Sequence, residues 1–261
     1  MAEWLTLAFP TSLIYSARQL NSMLARSTFS TEENALPDPT RRSFDGLVIP
    51  FYGSTSPELF EIERRCMDRD GKVLEYLQQH LPPGIVLDVG AGNGVTALSL
   101  STRKRIVVAL EPDDGMVDIH KPLVWARGVA QDIPFHTATF ESAYATWTFF
   151  FEGTPTIEDG LRELHRVVKP GGMIYIVDNA GYDEFCALSP RPIASNQAWW
   201  QAHGFSVEII LTSFRFDSLE EANTLLGFYF GEDVGRTNQK TEIGYSVAVY
   251  SKRVGRGPKT G

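Results

Sequence analysis

Short apolar runs alternate with segments of helical periodicity along the middle of the chain. The runs are nearly continuous in apolar residues, which is typical of strands buried on both faces. They predict strands at 85–89, 105–110, 126–129, 142–146 and 173–178, with helices at 95–101, 115–117 and 157–168 between them. Two longer β-type runs at 205–216 and 243–250 flank a further helix at 218–228. Repeated strand–helix–strand units predict an α/β fold in which helices cover both faces of a parallel sheet.

Two helices are predicted immediately before the first strand. Ser56 is the expected N-cap of the first helix, which has Pro57 at its first helical position and is predicted to extend to Arg69. The second helix covers 72–79 and ends at the Pro-Pro-Gly sequence that follows it. These helices are therefore expected to form an addition in front of the sheet.

The first fifty residues have a different pattern. Five apolar side chains follow helical spacing and predict an amphipathic helix, namely Leu13, Ala17, Leu20, Met23 and Leu24. A transit peptide is the alternative, because this stretch is rich in serine and contains few acids. Residues 31–50 are predicted to form a loop. We divide the chain into a helical extension or lid at 1–70, an α/β domain at 71–252 and a flexible tail at 253–261.

Composition and charge exclude several classes of function. Hydrophobic residues make up 43% of the chain and charged residues 21%, which is typical of a globular protein. The net charge of −8 argues against a nucleic-acid partner. No apolar run reaches the roughly 18 residues that span a membrane. Cys66 and Cys186 have neither metal nor redox spacing, so we expect a reduced, cytoplasmic protein.

The most distinctive motif follows the first predicted strand, where Asp88 precedes the alternating glycines Gly90, Gly92 and Gly94. Glycines permit a tight turn that a ligand can approach closely, and the N-terminus of a following helix attracts negative charge. The strand, turn and helix therefore predict a site for a nucleotide-like cofactor. The spacing differs from the G-x-G-x-x-G pattern of dinucleotide-binding folds.

Residues 87–94, Leu-Asp-Val-Gly-Ala-Gly-Asn-Gly, resemble the first motif of class I S-adenosylmethionine-dependent methyltransferases. Residues 161–173, which contain a Lys-Pro-Gly-Gly turn, resemble the helix and turn before the fifth strand of that family. The resemblance is closest to small-molecule members of type 11. It implies a Rossmann-like, seven-stranded sheet that is mostly parallel, ends in an antiparallel hairpin and carries an N-terminal helical cap. It also implies S-adenosylmethionine as cofactor and a small-molecule acceptor.

Two carboxylates are central to the implied cofactor site. Glu111 follows Asp88 by 23 positions, at the end of the second predicted strand. A carboxylate there can accept hydrogen bonds from both hydroxyls of a ribose, although a solvated acid is the alternative. The resemblance implies that Asp88 orients the glycine turn and reaches the amino-acid end of the cofactor, with loop capping as the simpler alternative.

One segment departs from the pattern of the family. Val129 stands where an acid usually accepts the amino group of adenine. Either Gln131 or Asp132 replaces that acid, or the contact is with the backbone of Ala130, which is the favoured prediction. Met116 resembles the apolar residue that packs on the adenine ring, with core packing as an equal alternative.

The resemblance extends to individual site residues. Those predicted to bind the cofactor are Asp88, Gly90, Ala91, Gly92, Asn93, Gly94, Glu111, Pro112, Met116, Ala130, Gln131, Asp132 and Thr146. Those predicted to bind the acceptor are Tyr52, Trp147, Phe149, Asp178, Asn179, Tyr182 and Trp199, which lie in the lid or beyond the fourth and fifth strands. Core packing is the alternative for the aromatic residues of this set. Candidates for proton transfer are His136, Asn179 and Tyr52, and no metal cluster is predicted.

These features predict a methyltransferase that acts on a small, hydrophobic or aromatic metabolite by direct in-line attack, as in natural-product biosynthesis. One alternative is a nicotinamide-dependent oxidoreductase, which the glycine spacing and the Lys-Pro-Gly-Gly turn disfavour. The other is a non-methylating S-adenosylmethionine-binding protein, which the lack of an obvious base leaves open. We expect neither a nucleic-acid nor a membrane partner, and either a monomer or a homodimer.

Overall fold

The computed structural model describes residues 52–149 and 155–255. The amphipathic helix, the transit-peptide alternative and the loop predicted within the first fifty residues lie outside these ranges, as do 150–154 and 256–261. A short 3-10 turn at Tyr52–Ser54 precedes the helices. The α-helices are α1 (Pro57–Cys66), α2 (Lys72–His80), α3 (Val95–Leu100), α4 (Pro155–Val167), α5 (Glu184–Ala187), α6 (Gln197–Ala202), α7 (Leu219–Phe230) and α8 (Glu232–Thr237).

Seven strands form one mixed sheet in the order β3-β2-β1-β4-β5-β7-β6. They are β1 (Gly84–Val89), β2 (Arg105–Glu111), β3 (Val124–Arg127), β4 (Phe140–Thr146), β5 (Val168–Asn179), β6 (Ser206–Arg215) and β7 (Glu242–Arg253). Strands β1 to β5 are parallel to one another, whereas β7 is antiparallel to both β5 and β6. The predicted sheet and its antiparallel C-terminal hairpin are confirmed. Arg253, where the predicted tail begins, still pairs with Met173.

Helix α1 is shorter than predicted, because it ends at Cys66 rather than at Arg69. Met67 has an extended backbone with ψ 126° and forms an isolated antiparallel bridge with Phe214 of β6. The side chains of Met67 and Phe214 are both buried in the same hydrophobic cluster. Tertiary pairing therefore overrides the helical pattern of the sequence at this point.

The segment between β2 and β3 is a turn rather than the predicted short helix. Asp113 stabilises it, because its Oδ1 accepts a hydrogen bond from Gly115 N at 2.8 Å and its carbonyl accepts one from Met116 N at 3.0 Å. Such local bonds from a side chain to the backbone compete with helix formation. Strand β3 begins two residues earlier than predicted, because Val124 pairs with Val108.

The sheet separates two hydrophobic cores, one on each face. Strand β1 shows the alternation: Leu87 belongs to one core and Val86 to the other. Helices α4 and α6 cover the first face through Leu164 and Trp200, and α1, α2, α3 and α7 cover the second. Helix α1 also packs against α7. Because β1 lies between β2 and β4, its carboxyl end is at the switch point where open α/β sheets bind ligands.

Candidate functional site

The glycine turn lies at the carboxyl end of β1, and its three glycines have left-handed φ values of 71°, 56° and 75°. Gly90 has no room for a side chain, because a Cβ there would lie 2.5 Å from Thr148 Cγ2. A Cβ on Gly92 would make only ordinary contacts, 3.6 Å from Met116 Cε and 3.8 Å from Phe60 Cζ. Met116 and Phe60 therefore lie over Gly92, close to the backbone that the sequence predicts to receive a cofactor.

Backbone hydrogen bonds fix the shape of this turn. The N–H groups of Gly90 and Ala91 both donate to the carbonyl of Leu110 at the end of β2, at 2.9 and 3.0 Å. Asn93 Oδ1 accepts a hydrogen bond from Val95 N at 3.3 Å, where α3 begins. The turn is thus held to β2 on one side and to α3 on the other.

Glu111 ties the glycine turn to the segment after β2. Its Oε2 accepts a hydrogen bond from Gly92 N at 2.8 Å, and its Oε1 accepts one from Asp113 N at 3.0 Å. The carboxyl is 7% exposed, and this burial raises the pKa of Glu111, whereas the two backbone donors lower it. Glu111 is therefore not a solvated acid. Each oxygen still has a lone pair that a ligand hydroxyl could use.

Asp88 lies beneath the turn and is completely buried. Neither carboxyl oxygen has a hydrogen-bond partner in the described chain, and the buried hydroxyl of Tyr144, its register partner on β4, also has none. The hydroxyl is close enough to lower the pKa of Asp88 without completing a hydrogen bond, and the charge of Arg64 acts in the same direction. Burial outweighs both and raises that pKa to about 7. Loop capping is not what Asp88 does here, because a cap would accept a bond from a backbone N–H.

Helix α1 brings a positive charge to the same place. Arg64 Nη2 donates a hydrogen bond to Thr96 Oγ1 at 2.9 Å, in the first turn of α3. Arg64 Nε is buried and has no partner in the part of the chain that the structure describes. The guanidinium therefore lies near both Asp88 and the helix that follows the glycine turn, with a donor still available.

Three side chains from separate elements meet above the turn, and we call them the Tyr52–Glu63–Tyr229 cluster. The Tyr52 hydroxyl donates to Glu63 Oε2 and lies 2.8 Å from the Tyr229 hydroxyl. Tyr229 also interacts with the Glu63 carboxyl. Phe60, one helical turn before Glu63, has its ring 6.4 Å from the Tyr52 ring, and the Phe228 ring is 4.9 Å from Tyr52. The cluster therefore adjoins an aromatic surface that reaches the glycine turn.

Glu63, Arg64 and Tyr229 are absent from the sequence-based predictions. Charged residues on a helix such as α1 normally indicate a solvated face, and Tyr229 is distant in sequence. The one usable signal is that Phe60 and Glu63 are three positions apart and share a face of α1.

The residues predicted to contact adenine differ in burial. Met116 is buried, whereas Asp132 is exposed and its N–H donates to the carbonyl of buried Val129 at 3.2 Å. Ala130 adjoins α4, because a Cβ on Gly160 would lie 3.4 Å from the Ala130 Cβ. The side chain of Asp132 therefore does not replace the acid that the family places at Val129. Gln131 and Pro112 are partly buried in the two segments beyond β3 and β2.

The carboxyl ends of β4 and β5 are joined by a hydrogen-bond network. Trp147 Nε1 donates to the Tyr245 hydroxyl at 2.7 Å, and this hydroxyl donates to Asn179 Oδ1. Asn179 Nδ2 donates to the carbonyl of Ile193 at 2.9 Å. The amide of Asn179 is thus committed to the protein on both sides, which does not favour a role in proton transfer. The neighbouring Asp178 is buried, and its Oδ1 accepts from Asn179 N.

The remaining predicted residues lie away from the glycine turn or inside a core. Phe149 is buried in the core on the α4 face, and Trp199 stacks on His203 with ring centroids 3.7 Å apart. Tyr182 is fully exposed. His136 is exposed near the amino end of β4, where its carbonyl accepts from Thr139 Oγ1 at 2.7 Å. His136 lies near the amino end of β4, whereas the turn lies at the carboxyl end of β1, and this placement does not support a role as base.

Known proteins are similar to the part of the chain that contains the glycine turn and Glu111. Residues 87–176 match the family model described as a methyltransferase domain. This central part of the chain is therefore similar to methyltransferase domains. The putative type II methyltransferase from Anaeromyxobacter dehalogenans shares the fold with a TM-score of 0.52 at 16% identity, covering 71% of this chain and 96% of that structure.

Two curated proteins are similar to parts of this chain. The chain is 30% identical over 135 residues to the biotin biosynthesis bifunctional protein BioHC of Cellvibrio japonicus, covering 50% of this chain and 25% of that protein. It is 32% identical over 113 residues to the ubiquinone/menaquinone biosynthesis C-methyltransferase UbiE of Geotalea daltonii, covering 38% and 47%. The chain thus spans less than half the length of either relative.

Two further predictions concern metals and membranes. Within the described ranges, no group of three or more metal-binding side chains is present. No helix in those ranges is long and apolar enough to cross a membrane. Both cysteines, Cys66 and Cys186, are free.

Proposed function

We propose that this protein is an S-adenosylmethionine-dependent methyltransferase that methylates a small, hydrophobic or aromatic acceptor by direct in-line attack. The hydrogen bond from Gly92 N to Glu111 carries the proposal, because it places a carboxylate beside a bare glycine backbone at the switch point of the sheet. The match of the central region to a methyltransferase domain supports the same cofactor.

The buried polar groups suit the chemistry of this cofactor. Glu111 would accept hydrogen bonds from the ribose hydroxyls while it holds Gly92. The ammonium group of the methionine portion would supply the donors that Asp88 lacks, and Arg64 Nε would bind its carboxylate. A buried carboxyl without donors costs roughly 1–3 kcal/mol or more, so Asp88 favours a ligand that provides them.

An apolar side chain and a backbone segment would hold the adenine portion of the cofactor. Met116 would pack on the adenine ring, and the backbone of Ala130 would contact its amino group. The other residues of the predicted set, Gly90, Gly94, Ala91, Asn93, Pro112, Gln131 and Thr146, would shape the turn and the rim of this site. Asp132 is exposed and would contribute through its backbone.

S-adenosylmethionine supplies an activated methyl group on a sulfonium, so the protein chiefly has to position the acceptor and exclude water. Correct positioning can lower a barrier by about 7–11 kcal/mol. The 3-10 turn, α1 and α7 bring the Tyr52, Phe60 and Phe228 rings together, with Phe60 beside the glycine turn, and this aromatic surface suits an apolar or aromatic acceptor. Trp147, Asp178 and Asn179 would form the wall on the β4–β5 side, and the lid would lie within 1–70.

Equilibrium binding tests the cofactor assignment. We expect isothermal titration calorimetry to detect S-adenosylmethionine and S-adenosylhomocysteine, with no binding of NAD. Tight binding of NAD without S-adenosylmethionine would instead support a nicotinamide-dependent oxidoreductase. Methyl transfer is then measured with S-adenosylmethionine labelled on the methyl group and a panel of phenols, enols and amines.

A non-methylating S-adenosylmethionine-binding protein is the second candidate. Two observations favour it. His136 lies near the amino end of β4, away from the glycine turn. The side-chain amide of Asn179 is already hydrogen-bonded within the protein. Binding of the cofactor with no transfer to any acceptor class of the panel would favour it. We also propose a cytoplasmic location, consistent with the two free cysteines, and a monomer or homodimer, which analytical ultracentrifugation distinguishes.

A further inference from the structure

The three side chains of the Tyr52–Glu63–Tyr229 cluster contact one another. The number of hydrogens available for their hydrogen bonds depends on whether Glu63 is protonated. Tyr52 contacts both Glu63 and Tyr229, and Tyr229 also interacts with Glu63. Each hydrogen bond needs one hydrogen, and each phenol supplies only one. With Glu63 ionised, the two phenol hydrogens satisfy the bond from Tyr52 to Glu63 and the bond between Tyr52 and Tyr229. The interaction of Tyr229 with Glu63 leaves a place for one further hydrogen when Glu63 takes up a proton.

The surroundings of Glu63 act on its pKa in opposite directions. The groups that act on it are Tyr52 from the 3-10 turn, Tyr229 from α7 and Arg64 from α1 itself. Both phenols and the Arg64 charge favour the ionised form, but burial is the larger effect and raises the pKa of Glu63. Glu63 is thus a carboxylate that a nearby acid could protonate, as an effective general base requires.

The cluster is also placed to meet an acceptor. Phe60 is one helical turn from Glu63 and lies over Gly92, where a Cβ would be 3.8 Å from its Cζ. The Tyr52 and Phe228 rings continue this surface outward, and Phe228 is 47% exposed. An aromatic molecule stacked on these rings would have Glu63 at one end and the glycine turn at the other.

We propose that Glu63, held by Tyr52 and Tyr229, is the catalytic base of this site and that the methyl acceptor is a phenol or an enol bound against Tyr52, Phe60 and Phe228. This inference rests on the proposed methyltransferase function and names the acceptor class and the base.

The reaction balances with this base. The O–H bond of the acceptor breaks, and its proton passes to a carboxyl oxygen of Glu63. The electron pair left on the acceptor forms a new bond to the methyl group from the oxygen or from the conjugated ring carbon. The bond between methyl and sulfur breaks with its electron pair remaining on sulfur. After carbon methylation, the ring-carbon proton leaves to water and the acceptor oxygen takes back the proton held by Glu63, which restores the phenol or enol. After oxygen methylation, Glu63 releases its proton to water.

The test uses 4-nitrophenol, whose phenolate form absorbs visible light, with the full-length protein saturated with S-adenosylhomocysteine. At a pH where the free probe is mostly neutral, we expect binding to convert it to the phenolate. We also expect infrared difference spectra to show the carbonyl band of a newly protonated carboxyl. In Glu63→Gln both signals should vanish, and probe binding should weaken by about tenfold or more.

A matched surface pair provides the control. Tyr76 of α2 donates to Glu208 of β6 at 2.6 Å, the same type of tyrosine–glutamate contact outside the cluster. Glu208→Gln should keep both spectroscopic signals and the affinity for the probe. Tyr229→Phe keeps the ring but removes a hydrogen bond that favours ionised Glu63, so it should raise the phenolate fraction, and it provides a second test if Glu63→Gln proves unstable.

The possible outcomes separate this inference from the proposed function. Binding of S-adenosylhomocysteine without binding of 4-nitrophenol would overturn the acceptor class and leave the methyltransferase intact. Unchanged phenolate and carboxyl signals in Glu63→Gln would overturn the role of Glu63 as base. Failure of the wild-type protein to bind S-adenosylhomocysteine would instead overturn the proposed function itself.

Discussion

Gly92 donates its backbone N–H to Glu111 Oε2 at 2.8 Å, so the turn after β1 is joined directly to the last residue of β2. The second oxygen of Glu111 accepts from Asp113 in the turn that carries Met116. One buried carboxylate therefore holds two segments on opposite sides of the proposed ribose position. It supports the local structure and would also bind the proposed cofactor.

Replacing Glu111 by glutamine tests this double role. The amide group would place an N–H₂ against one of the two backbone donors, so we expect a stability loss of about 1–3 kcal/mol. Binding of S-adenosylhomocysteine should weaken by about tenfold or more. Urea unfolding and calorimetry measure the two effects. Glu141→Gln, which removes an exposed ion pair with Lys169, should change stability by less than about 1 kcal/mol.

Two glycines with the same backbone conformation separate strain from crowding. Gly71 and Gly90 have φ values of 70° and 71°, but only Gly90 has a neighbour, Thr148, in the way of a Cβ. Gly71→Ala should therefore cost about 1–2 kcal/mol for the left-handed backbone alone. Gly90→Ala should cost about 1–3 kcal/mol more through overpacking and should abolish S-adenosylhomocysteine binding. Equal losses of stability in the two variants would contradict the tight contact at Gly90.

Asp88 predicts a pH dependence of stability. Burial raises its folded-state pKa from 3.8 to about 7, so folded Asp88 holds its proton more tightly than unfolded Asp88. The resulting stabilisation is complete below about pH 4 and is lost as the pH rises to about 7, with a size on the order of 4 kcal/mol. Asp88→Asn does not titrate. The stability difference between wild type and this variant should therefore fall across that range.

Urea denaturation at a series of pH values measures this difference, and other titrating groups cancel from it. Parallel pH profiles for the two proteins would show that Asp88 is ionised at no cost in the folded state. Saturation with S-adenosylhomocysteine should reduce the pH dependence of the wild type, because its ammonium group would supply donors to the carboxylate.

The network behind β4 and β5 should matter more for stability than for cofactor binding. Tyr245→Phe would leave Trp147 Nε1 and Asn179 Oδ1 without their shared partner, so we expect a loss of about 1–3 kcal/mol. Tyr175→Phe is the control, since the Tyr175 hydroxyl makes only a long contact of 3.4 Å with the His80 carbonyl. Thermal unfolding compares them, and similar losses in both variants would contradict the importance of the network.

Much of the fold can be predicted because its signals are local. The continuous apolar runs of β1, β2, β4 and β5 predict buried parallel strands, and the alternating glycines after β1 predict the turn. The predicted bounds of α1 and β3 are wrong because contacts between residues distant in sequence determine them. Met67 pairs with Phe214 instead of continuing α1, and Val124 pairs with Val108 and so belongs to β3. The predicted helix after β2 is instead a turn, because the side chain of Asp113 accepts a hydrogen bond from Gly115 N.

The residues of the candidate site also fall into those that local sequence predicts and those that depend on tertiary contacts. The sequence by itself determined the glycine turn, Asp88 and Glu111, because spacing along the chain places these groups at the ends of adjacent strands. Only the tertiary structure decided that Asp88 is buried without a partner and that Asn179 is already engaged. It alone brings Glu63, Tyr52 and Tyr229 together, since they come from three elements separated by up to 177 positions. Their meeting depends on the packing of α1 against α7, which no local pattern encodes.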